Sequence, residues 1–147
     1  MSTQTQSNLT AAPATAATTT RARWQPRAAA VVAATLLPAA VWPVAHALGA
    51  GFVLKDSTGS VTISLPIVLV FSLLFALLGW GSLAVLERRV RRAPARWTGL
   101  AAAVALLSLV PVLLENATGG TKTALMLIHL TVAAALIPLL RRTTGAR

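Results

Sequence analysis

Four apolar stretches of this chain run for eighteen residues or more without a formal charge: 28–48, 65–86, 97–114 and 123–140. At 1.5 Å per residue, about 20 helical residues cross the roughly 30 Å hydrocarbon core of a bilayer, so each stretch is long enough, the last two only just. Composition agrees. With 56% hydrophobic and 11% charged residues, the chain falls well short of the roughly 25% charge that keeps a soluble domain in water. The fold predicted is all-α: a bundle of four transmembrane helices. Ser64 is placed to cap the second helix, and Pro66 falls in its first turn, where a missing N–H costs nothing. Pro38, Pro43, Gly79, Gly81, Pro111 and Pro138 lie inside the spans. They kink rather than end helices, because an unbonded carbonyl in lipid is costly.

The basic residues between the stretches are sorted by kind. All eleven Arg fall on one side of a four-span arrangement: Arg21, Arg23 and Arg27 before the first span, Arg88, Arg89, Arg91, Arg92 and Arg96 in the middle loop, and Arg141, Arg142 and Arg147 at the end. Lys55 and Lys122 occupy the other two loops. The positive-inside rule then predicts a multi-pass cell-membrane protein with both termini cytoplasmic, and Trp24 and Trp97 at the inner headgroup layer. The middle-loop arginines are expected to contact anionic lipid headgroups. No aromatic residue is interleaved among them for base stacking, so nucleic acid is not an expected partner.

The first 20 residues are Ser, Thr, Ala, Gln and other uncharged residues, which cannot bury enough apolar surface to order a chain. Residues 1–27 are therefore predicted to be a disordered cytoplasmic tail, 28–142 the transmembrane domain, and 143–147 a short C-terminal tail. Between the first two spans, Phe52, Leu54, Val61 and Ile63 alternate on either side of Asp56-Ser57-Thr58-Gly59, the pattern of a short extracytoplasmic β-hairpin. A hairpin this small must lean on the helix ends. Ala45-His46-Ala47 also fits a signal-peptide cleavage site, an alternative to a retained first span. The apolar run before it is longer than the usual 7–15 residues and the preceding tail is long, so the retained span is the reading adopted.

Helices in lipid associate through small residues on a shared face. Steps of three and four residues pick out Thr35, Ala39, Trp42 and His46 in the first span, Ser72, Ala76, Gly79 and Ser82 in the second, Ala101, Ala105, Ser108, Val112 and Glu115 in the third, and Met126, His129 and Ala133 in the fourth. If those faces point inward, His129, His46 and Glu115 share the outer half of the bundle. They are the candidates for a ligand or proton site, since ionisable groups in a membrane are costly. His129 stands seven residues beyond Lys122, about 10 Å along the helix. A carboxylate at a helix C-terminus is disfavoured by the dipole, which points to a partner for Glu115 such as Lys122 or His129. The competing reading makes His129 a neutral side chain bonded to a Ser, Thr or freed carbonyl on a neighbouring helix, His46 an interfacial polar residue, and Glu115 a solvated loop charge.

Catalysis has little to work with. The chain has no Cys, hence no thiol nucleophile and no disulfide framework. No G-x-S-x-G or H-E-x-x-H motif occurs. Two His and one carboxylate from three helices, with no local spacing, leave a haem or metal protein as a minor alternative; no cofactor and no metal are expected. Glu87 is expected to pair with Arg91 at i+4. Asn116-Ala117-Thr118 matches a glycosylation sequon that needs a eukaryotic secretory route.

Gly79-Trp80-Gly81, Leu86-Glu87-Arg88-Arg89, Arg96-Trp97-Thr98, Leu107-Ser108-Leu109 and Leu127-Ile128-His129-Leu130, in that order, resemble the pattern of a family of short four-span actinobacterial membrane proteins, a domain of unknown function. The resemblance covers about 28–142. It implies four helices with a small outer hairpin and an uncleaved first span, and it carries no activity. The expectation is thus a non-enzymatic integral membrane protein, possible as a homo-oligomer. The alternative is a subunit of a small oligomeric transporter or channel with a polar pocket in its outer half.

Overall fold

The computed structural model describes residues 16–56 and 59–144. Helix α1 (Ala16–Ala47) leads into strands β1 (Val53–Asp56) and β2 (Gly59–Thr62), followed by α2 (Leu65–Arg89), α3 (Ala93–Leu107), α4 (Leu109–Leu114) and α5 (Gly119–Arg142). Four segments are long and apolar enough to cross a membrane: Trp24–Ala47, Leu65–Arg89, Ala93–Leu114 and Gly119–Arg142. They coincide with the four charge-free stretches, and the protein is a multi-pass helical membrane protein with a hairpin between its first two spans.

Two boundaries depart from the sequence reading. Helix α1 begins at Ala16, so 16–27 are helical rather than part of a disordered tail; a helix already nucleated extends cheaply into Ala- and Arg-containing sequence. The rest of that tail, 1–15, lies outside the described residues, as do 145–147. Helix α5 begins at Gly119 rather than near 123, because Thr118 caps it, its hydroxyl accepting the Thr121 N–H at 3.3 Å. Ser64 stands at the N-cap of α2 in extended backbone, but its hydroxyl makes no cap bond.

The internal prolines behave unequally. Pro38, Pro43 and Pro138 sit within continuous helices. Pro111 interrupts the third span: it cannot donate to the Leu107 carbonyl, and the ladder breaks at Ser108, separating α3 from α4. Ser108 closes the end of α3 with its N–H on the Val104 carbonyl at 2.9 Å and its hydroxyl on the Ala105 carbonyl at 2.7 Å.

Helix α1 packs on α2 and α5, and α3 packs on those same two helices. The core has two parts. At the arginine end, Ala30, Val31, Ala34, Ala76, Leu83, Trp97, Ala135, Leu136 and Leu140 form one buried cluster. At the hairpin end, Ala50, Phe52, Val68, Val112, Ala124, Leu125 and Ile128 form the other. The predicted contact stripe holds for α2, where Ser72 and Ala76 are buried. On α1 the buried line is Ala30, Val31, Ala34 and Pro38 instead of Thr35, Ala39, Trp42 and His46. On α5 it is Ala124, Leu125, Ile128, Ala135, Leu136 and Leu140 instead of Met126, His129 and Ala133. In the third span the predicted face is half-buried, with Val112 fully so.

Two predicted contacts at the arginine end are replaced by longer-range ones. Trp97 is 1% exposed rather than interfacial. Its indole N–H reaches the Gly79 carbonyl and the Ser82 hydroxyl, both at 3.0 Å, which allows the ring to leave the headgroup layer for the core. Trp24, by contrast, is half exposed. Glu87 pairs with Arg27 at 2.7 Å, not with Arg91, and the Arg27 Nε donates to the Thr143 hydroxyl at 3.2 Å. One arginine thereby ties α1 to the ends of α2 and α5. Arg91 is exposed; a buried partner is less screened than one in solvent, so the half-buried Arg27 wins the carboxylate.

Candidate functional site

The hairpin end is built around the exit of α1. Gly49 has φ +93°, and around it the Gly49 N–H bonds the His46 carbonyl and the Ala50 N–H the Ala45 carbonyl, each at 3.0 Å. This is a Schellman ending, which needs the left-handed conformation that glycine adopts freely. It turns the chain back over the bundle so that Phe52 drops into the core, fully buried.

Phe52 is the one described non-glycine residue with positive φ, +51°, a conformation that costs about 1–2 kcal/mol. Its surroundings over-determine it. The Phe52 N–H donates to the buried Thr121 hydroxyl at 3.2 Å, its carbonyl accepts from Ile63 N–H at 2.8 Å, and its ring stacks on Trp42 with centroids 5.5 Å apart. Trp42 in turn donates its indole N–H to the Ile63 carbonyl at 3.0 Å. Beyond it, β1 and β2 pair antiparallel with Val53 opposite Thr62 and Asp56 opposite Gly59. The second connection at this end joins them: Lys55 bridges Asn116, its N–H on the Asn116 carbonyl at 3.1 Å. The free edge of β1 is thus partly covered.

His46 stacks face to face on Trp42, centroids 5.0 Å apart and planes 6° from parallel. Its Nδ1 lies 3.2 Å from the Ala50 carbonyl. A carbonyl only accepts, so Nδ1 carries the proton and the lone pair of the neutral ring is on Nε2. His129 repeats this on α5, with Nδ1 donating to the Leu125 carbonyl one turn back at 2.7 Å. Its partner is its own helix, not a neighbouring one.

Glu115 ends α4 and is half-buried. It makes no ion pair among the described residues. Lys122, the expected partner, instead donates to the Leu113 carbonyl at 2.9 Å. The last carbonyls of α4 have no intrahelical donors, and a cation at a helix C-terminus also suits the dipole. The structure therefore brings His46 together with Trp42 and Phe52 while joining none of His46, His129 and Glu115 to one another. Among the described residues no group of three His, Cys, Asp or Glu is placed to hold a metal ion. What the arrangement offers chemically is two separate imidazoles, each with one open nitrogen.

Sequence reasoning missed the Phe52–Thr121 bond and the Trp42 donation. The available signals were Gly49, which marks the end of α1, and an aromatic residue with a polar N–H facing a loop. The model of a family of unknown function, DUF6069, matches residues 18–146. No curated protein and no solved structure matches the chain significantly.

Proposed function

The chain belongs to the DUF6069 family, and from that premise we propose that it is a non-enzymatic, multi-pass protein of the cell membrane with both termini cytoplasmic and the hairpin outside. The observation that carries the orientation is the segregation of charge: among the described residues every Arg lies at or beyond one end of the spans, while Lys55 in β1 and Lys122 in the first turn of α5 lie at the other. Arginine-rich ends are retained on the cytoplasmic side during insertion.

The absence of catalysis is supported by how the ionisable groups are used. The Nδ1 of each His is engaged by a backbone carbonyl, Lys122 closes a helix end, and Glu87 and Arg27 hold three helices together. These are structural tasks.

The orientation is open to a clean test because the chain has no Cys. Ser60→Cys in β2 and Ala95→Cys at the start of α3 are both exposed. In intact cells a membrane-impermeant maleimide should label the first at once and the second only after permeabilisation. The reverse pattern would refute the orientation.

A further inference from the structure

We propose that the arginine end is a docking surface for anionic phospholipid, centred on the turn between α2 and α3. The proposal rests on the membrane-embedded reading above, but not on which compartment that end faces. Arg88, Arg89, Arg91, Arg92 and Arg96 are all exposed around the turn, and Arg141 and Arg142 are exposed at the end of α5. The chain has three acidic residues. Asp56 and Glu115 belong to the hairpin end, and Glu87 is held by Arg27. No acidic side chain of the protein is left to neutralise the seven guanidinium groups.

Arg88, Arg89, Arg141 and Arg142 suit the C-terminal turns of α2 and α5, but helix stability does not account for Arg92 and Arg96. Arg92 occupies the N-cap of α3 without a side-chain cap bond, Arg96 follows four residues later, and the first turn of α3 has no acidic residue. A helix N-terminus disfavours cations, so these two arginines are better served by an external anion. Height above the membrane selects which anion. Exposed apolar surface begins beside the cluster, with Val85 before it and Leu100 after it, so the arginines stand where headgroup phosphates lie. Clustered cations at that height, Arg and Lys alike, attract headgroups of net negative charge. A nucleic acid would need a stacking platform as well, and the aromatic ring nearest in sequence, Trp97, is buried.

The test uses the full chain purified in a neutral detergent, with native mass spectrometry counting bound lipid from equimolar phosphatidylglycerol and phosphatidylcholine. The wild type should retain phosphatidylglycerol preferentially. Each surface arginine contributes about fivefold. Arg91→Gln/Arg92→Gln/Arg96→Gln should therefore lower the preference by up to about a hundredfold, while the corresponding triple Lys variant should keep most of it. Equal retention of the two lipids by the wild type, an undiminished preference in the Gln variant, or loss of the preference in the Lys variant would overturn the proposal. So would displacement of phosphatidylglycerol from the wild type by an oligonucleotide at equal phosphate concentration. A reversed labelling pattern in cells would refute the orientation and leave this result standing.

Discussion

A Cβ on Gly79 would stand 2.6 Å from Cδ2 of Leu136. A side chain at residue 79 would therefore have to displace the buried Leu136 methyl at this contact between α2 and α5. The same glycine exposes its carbonyl to the Trp97 indole, so one position serves both the α2–α5 approach and the anchoring of α3.

Replacing it should be felt across the bundle. Gly79→Val is expected to cost about 1–3 kcal/mol through overpacking, measured by thermal or denaturant unfolding in detergent. Leu136→Ala in that background should recover part of the loss, because it removes the clashing atoms. Independent, additive effects of the two changes would argue against the contact.

The Arg27–Glu87 pair is mostly buried, with side chains 12% and 21% exposed. Glu87→Gln leaves Arg27 without its counter-charge and should destabilise the protein by about 1–3 kcal/mol. Arg91→Gln should change stability by less than about 0.5 kcal/mol, as exposed substitutions do. Equal effects from the two would restore the local i+4 pairing.

Thr121 ties the hairpin end to α5. Thr121→Val removes the acceptor of the buried Phe52 N–H, at an expected cost of about 1–3 kcal/mol. The loss should be local, so hydrogen exchange over residues 50–63 should accelerate while the arginine-end core around Trp97 stays protected. Uniform acceleration would show that the hairpin is not a separate unit.

Helix α1 supplies Ala30, Val31 and Ala34 to the arginine-end cluster and Trp42 to the hairpin contact. The folded protein extracted from membranes should therefore retain α1, with an intact mass that includes residues 28–47. A mass lacking everything up to Ala47 would restore the signal-peptide alternative.

Hydropathy and charge made the spans and hairpin legible because both are local properties of the chain. The faces were harder to read. On α1, small residues occur on nearly every side, Ala28, Ala29, Ala30, Ala33, Ala34, Ala39 and Ala40 among them, so the rule that small residues meet cannot choose among registers. Local rules also found the wrong partner for Glu87: spacing offers Arg91, whereas Arg27 lies sixty residues away. Trp97 looked interfacial because it adjoins arginines. Its true environment depends on a carbonyl eighteen residues upstream. Of the candidate site, His46 gained neighbours that its position did not announce, and His129 turned back to its own helix.

The most direct test of the account is whether the uncovered helix surfaces face hydrocarbon. Leu36, Phe75 and Leu106 are 58%, 52% and 66% exposed on three different spans. Each can be changed singly to Cys and spin-labelled in the otherwise Cys-free chain, then reconstituted in lipid bilayers. The account predicts relaxation enhancement by oxygen and little by a water-soluble nickel chelate at all three positions. Strong enhancement by the nickel chelate at all three would contradict it.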